Sequence, residues 1–114
     1  MKKNRLNTED IKTGVRINCV QSLERKMKSS DEHFKYIVTI HGTVEKIEIP
    51  DVYIKVKEVS VLNLKKENTT WVRDQSVVKK PPYTVGKTYS YRAKHDVIDD
   101  VVSTGVYEIY FSQP

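Results

Sequence analysis

Tyr53, Lys55 and Lys57 stand at alternate positions in a run whose intervening residues, Val52, Ile54 and Val56, are aliphatic. Successive side chains of a strand point to opposite faces. Burying the aliphatic set therefore turns the ring and the two ammonium groups outward together. That combination suits a nucleic acid, because a base stacks on the ring while the cations neutralise phosphates. Lys46 is a neighbour across the hairpin, on a side that the pattern leaves open. Arg16 lies opposite Val15 and Ile17 on an earlier strand and extends the patch. Arg25, Lys26 and Lys28 fall in a charged stretch that reads as an exposed loop within reach of a backbone. The same pattern also fits an ordinary solvated strand whose lysines guard an edge, and Glu45, Glu48 and Glu58 dilute its positive charge.

The remaining reactive side chains form no constellation. His33, His41 and His95 have no cysteine or histidine at zinc spacing, and His41 has the parity of a solvent-facing residue. Asp96, Asp99 and Asp100 cluster, but their spacing fits a capped helical turn better than a cation loop. The four glycines are isolated, so no phosphate loop is present. No nucleophile is paired with a base. Neither an enzymatic activity, a metal nor a cofactor is expected.

Composition sets the frame. A chain of 114 residues fits one domain. Cys19 is the sole cysteine, which excludes an internal disulfide and favours a reducing interior; set among Ile17, Asn18 and Val20, it reads as a small buried hydrophobe. The basic start Met1–Asn7 is not followed by an apolar stretch, and no segment approaches the roughly 20 apolar residues that cross a bilayer. A soluble, cytoplasmic protein without a membrane partner is expected. The net charge is +5, with 12 basic and 8 acidic residues in positions 1–57 against 8 and 7 in positions 58–114. The excess therefore sits in the first half, where it suits a polyanion.

The elements that must position these residues are strands. Phe34, Tyr36, Val38, Ile40 and Val44 share one parity, then Ile47 and Ile49 take the other. Val52, Ile54 and Val56 share a parity, then Val59 and Val61 change it. Such shifts require bulges or bends, here at Glu45-Lys46 and at Lys57-Glu58. Pairing across Pro50-Asp51 sets Ile49 against Val52 and Ile47 against Ile54, and bends both long strands at nearly one level, as a small barrel requires at its corner. Further strands are expected at Gly14–Ser22, Thr70–Val72, Val85–Tyr91 and Val106–Phe111. Leu6–Ile11 reads as a helical turn, Leu23–Glu32 as a charged loop, Lys79–Pro82 as a semi-rigid connector, and Asp96–Val102 as a second helical turn. Trp71 is expected in the core. Ile11–Ile17 and Tyr83–Tyr89 echo one another, each a glycine-containing turn that feeds a strand.

The expected fold is thus a mainly β, single-domain, SH3-like or OB-like barrel of about five strands spanning 1–114, with residues 1–6 outside its ordered part. The analogy is at the level of fold. Two functions follow: a non-enzymatic module binding nucleic acid, single-stranded rather than duplex because no recognition helix is found, or a protein-interaction module such as an adaptor, an inhibitor or an assembly component. The sequence leaves the oligomeric state open.

Overall fold

In the computed structural model, which describes residues 5–75 and 82–114, the chain forms a curled antiparallel sheet, the half-barrel form of the expected β architecture. Its strands are β1 (Arg5–Leu6), β2 (Arg16–Met27), β3 (His33–Glu48), β4 (Asp51–Glu67), β5 (Thr70–Arg73), β6 (Thr88–Tyr91), β7 (Lys94–Asp99) and β8 (Ser103–Ser112). The order is β1-β8-β2-β3-β4-β5, with β6 added on β4 and β7 on β8. A single 3-10 turn, Thr8–Asp10, is the N-terminal helical turn. Arg5 and Leu6 pair with Ser112 and Phe111, so the ordered domain reaches further towards the N-terminus than expected. Residues 1–4, and the connector up to Pro81, lie outside the described residues.

The parity shifts of the sequence are the two register shifts of the β3–β4 hairpin. Val44 faces Ile54 and Lys46 faces Tyr53, which leaves Glu45 as the extra residue on β3; His41 faces Glu58 and Gly42 faces Val56, which leaves Lys57 extra on β4. Each bulge bends its strand and increases its twist. Between them the sheet curls over a core of Ile17, Cys19, Val38, Ile40, Val44, Val52, Ile54, Val56 and Phe111, each no more than 2% exposed. Past the core, the inner face opens into a cavity of about 310 Å³ lined by Leu23, Phe34, Tyr36, Asn63 and the buried Asp74 among others.

Four expectations are corrected. Ile47 faces Val52 and Glu48 faces Asp51, so the turn lies at Ile49-Pro50, with a cis peptide bond, and Ile49 is exposed. This pairing keeps Ile47 on the side of the core. The stretch beginning at Leu23 continues β2 as far as Met27, because β3 and β8 flank it and supply partners for its backbone. Lys94–Asp99 is a strand paired with β8 and not a helical turn. Its Val97 and Ile98 are β-branched and stiff at χ1, which suits a strand, while Asp100 closes the hairpin by accepting from the amides of Val102 and Ser103. Lastly, Gly14 and Val15 belong to a turn; β2 begins at Arg16, and Val15 is exposed.

Candidate nucleic-acid interface

The inward turn of Val52, Ile54 and Val56 fixes the outer face. All three are buried, so Tyr53 and Lys55 point away from the core. Lys46 faces Tyr53 across the hairpin, with its Nζ 5.6 Å from the ring centroid. This settles the side of Lys46: the Glu45 bulge has turned it outward. Arg16, Thr43 and Lys55 occupy one row across β2, β3 and β4. Two strand spacings separate the guanidinium-bearing position from the lysine position, about 10 Å. Lys57, lifted on its own bulge, lines a depression of about 330 Å³ with Arg16, Asn18, His41 and Glu58. Five of the residues expected to form a site therefore share one end of the outer face.

The other three do not join them. Arg25 has the inward parity of β2, borders the inner cavity and reaches Asp100 at 3.4 Å. Lys28 forms an ion pair with Asp99 at 2.9 Å. Lys26 faces outward but lies at the opposite end, paired with His33. These three were expected in an exposed loop. Because β2 runs through Arg25 and Lys26, alternation sends their side chains to opposite faces.

Polar contacts hold the outer face in place. His41 donates from Nδ1 to Asn18 Oδ1 at 2.7 Å, and its Nε2 lies 3.3 Å from Ser60 Oγ, so one imidazole ties three strands. Glu48 sits 2.9 Å from Lys46. The ammonium holds that carboxyl below the usual carboxylate range, and the carboxylate in turn raises Lys46 above the ordinary lysine value. Lys46 is thus fully charged at neutral pH beside the Tyr53 ring. Glu45 accepts from Thr88 Oγ1 at 3.0 Å.

Trp71 was expected in the core. It stands instead on the outer face, half-buried, opposite Lys66. After the Lys57 bulge the odd-numbered residues of β4 take the inner side, so Lys66 and its partner Trp71 face out. Lys35 Nζ lies 4.5 Å from the indole centroid and Lys66 Nζ 5.7 Å. His33 meets the ring edge-on at 4.8 Å and pairs with Glu24 at 2.8 Å. This second cluster of ring and cations was not anticipated. Its signal is present in the sequence, since Lys35 has the outward parity between Phe34 and Tyr36, but placing Trp71 beside it requires knowing that β5 folds back on β4. A third such contact, Arg5 over the Tyr110 ring at 3.8 Å, flanks the face on β8.

Among the described residues no group of three or more His, Cys, Asp or Glu side chains is placed to hold a metal. Cys19 is completely buried, and desolvation pushes its thiol up to about 12, so it is protonated and inaccessible at neutral pH. No helix among the described residues is long and apolar enough to cross a membrane. Comparison with known proteins returns no matching family, no matching curated protein and no matching solved structure.

Proposed function

We propose that this chain is a non-enzymatic binding module that holds a single strand of nucleic acid across the outer face of β2, β3 and β4. The observation that carries the reading is the Tyr53 ring with Lys46 at 5.6 Å, next to the row formed by Arg16, Thr43 and Lys55. A half-exposed ring offers a base a stacking surface, and cations spaced across neighbouring strands track a phosphate backbone. The net charge of +5 supports the same partner. Single strands are favoured over duplex because the face is a sheet that carries aromatic rings, and among the described residues no helix is long enough to enter a major groove.

The test is fluorescence anisotropy with labelled single-stranded oligonucleotides at several salt concentrations. Binding should weaken steeply with salt, and Arg16→Ala or Lys55→Ala should each lower the slope of log K against log salt by roughly 0.7. Tyr53→Ala should weaken binding about tenfold, the equivalent of one stacked base. Absence of binding at low salt, a flat salt dependence or a neutral Tyr53→Ala variant would overturn the proposal.

A further inference from the structure

The two sides of the sheet end differently. On one side, β4 is covered: β5 pairs with it at Leu64–Glu67 and β6 at Val52–Lys55. Between these, Val56 donates its amide to Lys87 and accepts from Gly86, and Asn63 accepts from the amide of Asp74. On the other side, β7 pairs with β8 and, among the described residues, with nothing else. It presents a row of unpaired backbone groups, the surface on which another strand adds. Its central residue, Val97, is 72% exposed and faces Val106 of β8, which is also exposed. Val101 and Val102, in the turn that follows, are exposed as well.

The sequence of this edge selects its partner. In a two-fold antiparallel pairing that continues the sheet, residues facing one another share a face, so a residue meets a mate of its own parity. Three registers keep most of the strand paired. Centring on Asp96 sets two aspartates against each other. Centring on Ile98 sets Asp96 against Asp100. Centring on Val97 sets Val97 against its own mate, His95 against Asp99, Asp96 against Ile98 and Lys94 against Asp100. Only the last register opposes no like charges, and it adds two complementary pairs on each side of the axis.

We propose that β7 is a self-pairing edge: a second copy of this chain joins it antiparallel, with Val97 on the two-fold axis and His95 facing Asp99 of the mate. An isologous contact of this kind closes at two copies. One six-residue strand per copy buries little surface, so the dimer forms reversibly and dissociates on dilution. β7 lies outside the proposed nucleic-acid face on β2, β3 and β4, so self-pairing and nucleic-acid binding can fail independently.

Sedimentation velocity over a wide concentration range tests it on the full chain. The wild type should show a monomer–dimer equilibrium. Val97→Lys, which brings two lysines together on the axis, should remain monomeric with an unchanged circular dichroism spectrum. His95→Glu should weaken dimerisation roughly tenfold, and adding Asp99→Lys to it should restore the association. Val97→Cys supplies a positive readout, because facing Cα atoms lie about 4.5–5.5 Å apart in such a pair, within disulfide range. Oxidation should link its two copies, while the buried Cys19 stays free. A wild type that is monomeric throughout, assembly beyond two copies, or a dimer indifferent to Val97→Lys would overturn the proposal.

Discussion

Gly14 and Gly86 make the same contact on two different strands. The amide of Gly14 donates to Val44 O at 2.8 Å, and Val44 donates back to Val15 O at 3.0 Å; the amide of Gly86 donates to Val56 O at 2.8 Å, and Val56 donates back to Lys87 O at 2.9 Å. Each glycine sits at positive φ, +89° and +93°, in a turn closed by Val15 N to Lys12 O or Lys87 N to Thr84 O. These are the third positions of type II turns. The two turns thus deliver β2 and β6 onto the bent part of the β3–β4 hairpin. A Cβ added at either glycine meets nothing within 4 Å, so the cost of substitution is torsional. Gly14→Ala and Gly86→Ala should each lower stability by about 1 kcal/mol, read as a fall in the urea midpoint at unchanged m-value.

Gly42 has the opposite character. A Cβ there would lie 2.2 Å from Lys55 O and 2.6 Å from Ile54 Cγ2. The obstacle is a backbone carbonyl of the partner strand at the bulge and cannot swing aside. Gly42→Ala should therefore cost more than either turn glycine, about 3 kcal/mol. The same urea titration ranks the three variants. If Gly42→Ala proved the mildest, the hairpin would not be drawn this tightly around the bulge.

These glycines show what was legible before the fold was known. The echo between Ile11–Ile17 and Tyr83–Tyr89 located both turns, since a glycine feeding a strand is a local signal. The changes of parity at Glu45-Lys46 and Lys57-Glu58 located both bulges, because burial of one face forces the apolar set to reveal where the count slips. The inward side of Val52, Ile54 and Val56 followed from the same rule, and with it the outward side of Tyr53 and Lys55. The failures were of another kind. Arg25 and Lys26 read as loop because Glu24, Arg25 and Lys26 are charged in succession and so put charge on both faces, and only the pairing with β3 and β8 on either side holds such a run in a strand. Asp96–Val102 reads as a helical turn because Val97, Ile98, Val101 and Val102 have helical spacing, and only the pairing of Lys94–Asp99 with β8 decides for a strand. Trp71 was placed in the core because its side depends on a bulge and a turn that precede it in the chain. Local pattern fixed the faces of the long hairpin, whereas partners distant in sequence fixed the rest.

Cys19 predicts an alkaline instability. Its folded thiol is pushed up to about 12 from an ordinary value of 9.0 by desolvation. Above the ordinary value the unfolded thiol loses its proton while the folded one keeps it, so the unfolded state binds fewer protons and stability falls as pH rises. The contribution is fully present below pH 9 and is lost progressively between about 9 and 12. Burial also raises Tyr83, Tyr91 and Tyr107, which act in the same direction. Urea midpoints should decline from neutral pH into that window, and Cys19→Val should decline less steeply. A thiol reagent should leave the native wild type unlabelled and modify it only after unfolding.

Tyr91 carries a polar group at the wrong place for stability. Its ring packs in the core near Tyr83, with centroids 5.6 Å apart, yet its hydroxyl is buried with no hydrogen-bond partner among the described residues. An unsatisfied buried hydroxyl costs about 1–3 kcal/mol. Tyr91→Phe removes the group and keeps the ring, so it should stabilise the protein by about 1 kcal/mol. Tyr83→Phe is the opposing control, because the Tyr83 hydroxyl accepts from Gln21 Nε2, and its loss should destabilise. Thermal midpoints of the two variants should move in opposite directions. A fall with Tyr91→Phe would mean that the hydroxyl is satisfied in solution.

Trp71 allows the reach of the proposed interface to be measured. It is the sole tryptophan in the chain, so its emission reports one place. Along β4 it stands opposite Lys66, while the Tyr53 cluster lies at the other end of the same face, roughly 40 Å of strand away. A short oligonucleotide held at Tyr53, Lys55 and Arg16 should leave the emission unchanged. One long enough to span the face should quench it, because a base stacking on the indole displaces the Lys35 ammonium now 4.5 Å from the ring. Titrating oligonucleotides of increasing length at low salt should therefore show a threshold length for quenching, and Lys35→Ala with Lys66→Ala should weaken binding of the long strands alone. Quenching by the shortest strands, with Tyr53→Ala neutral, would move the primary contact to the Trp71 end of the sheet.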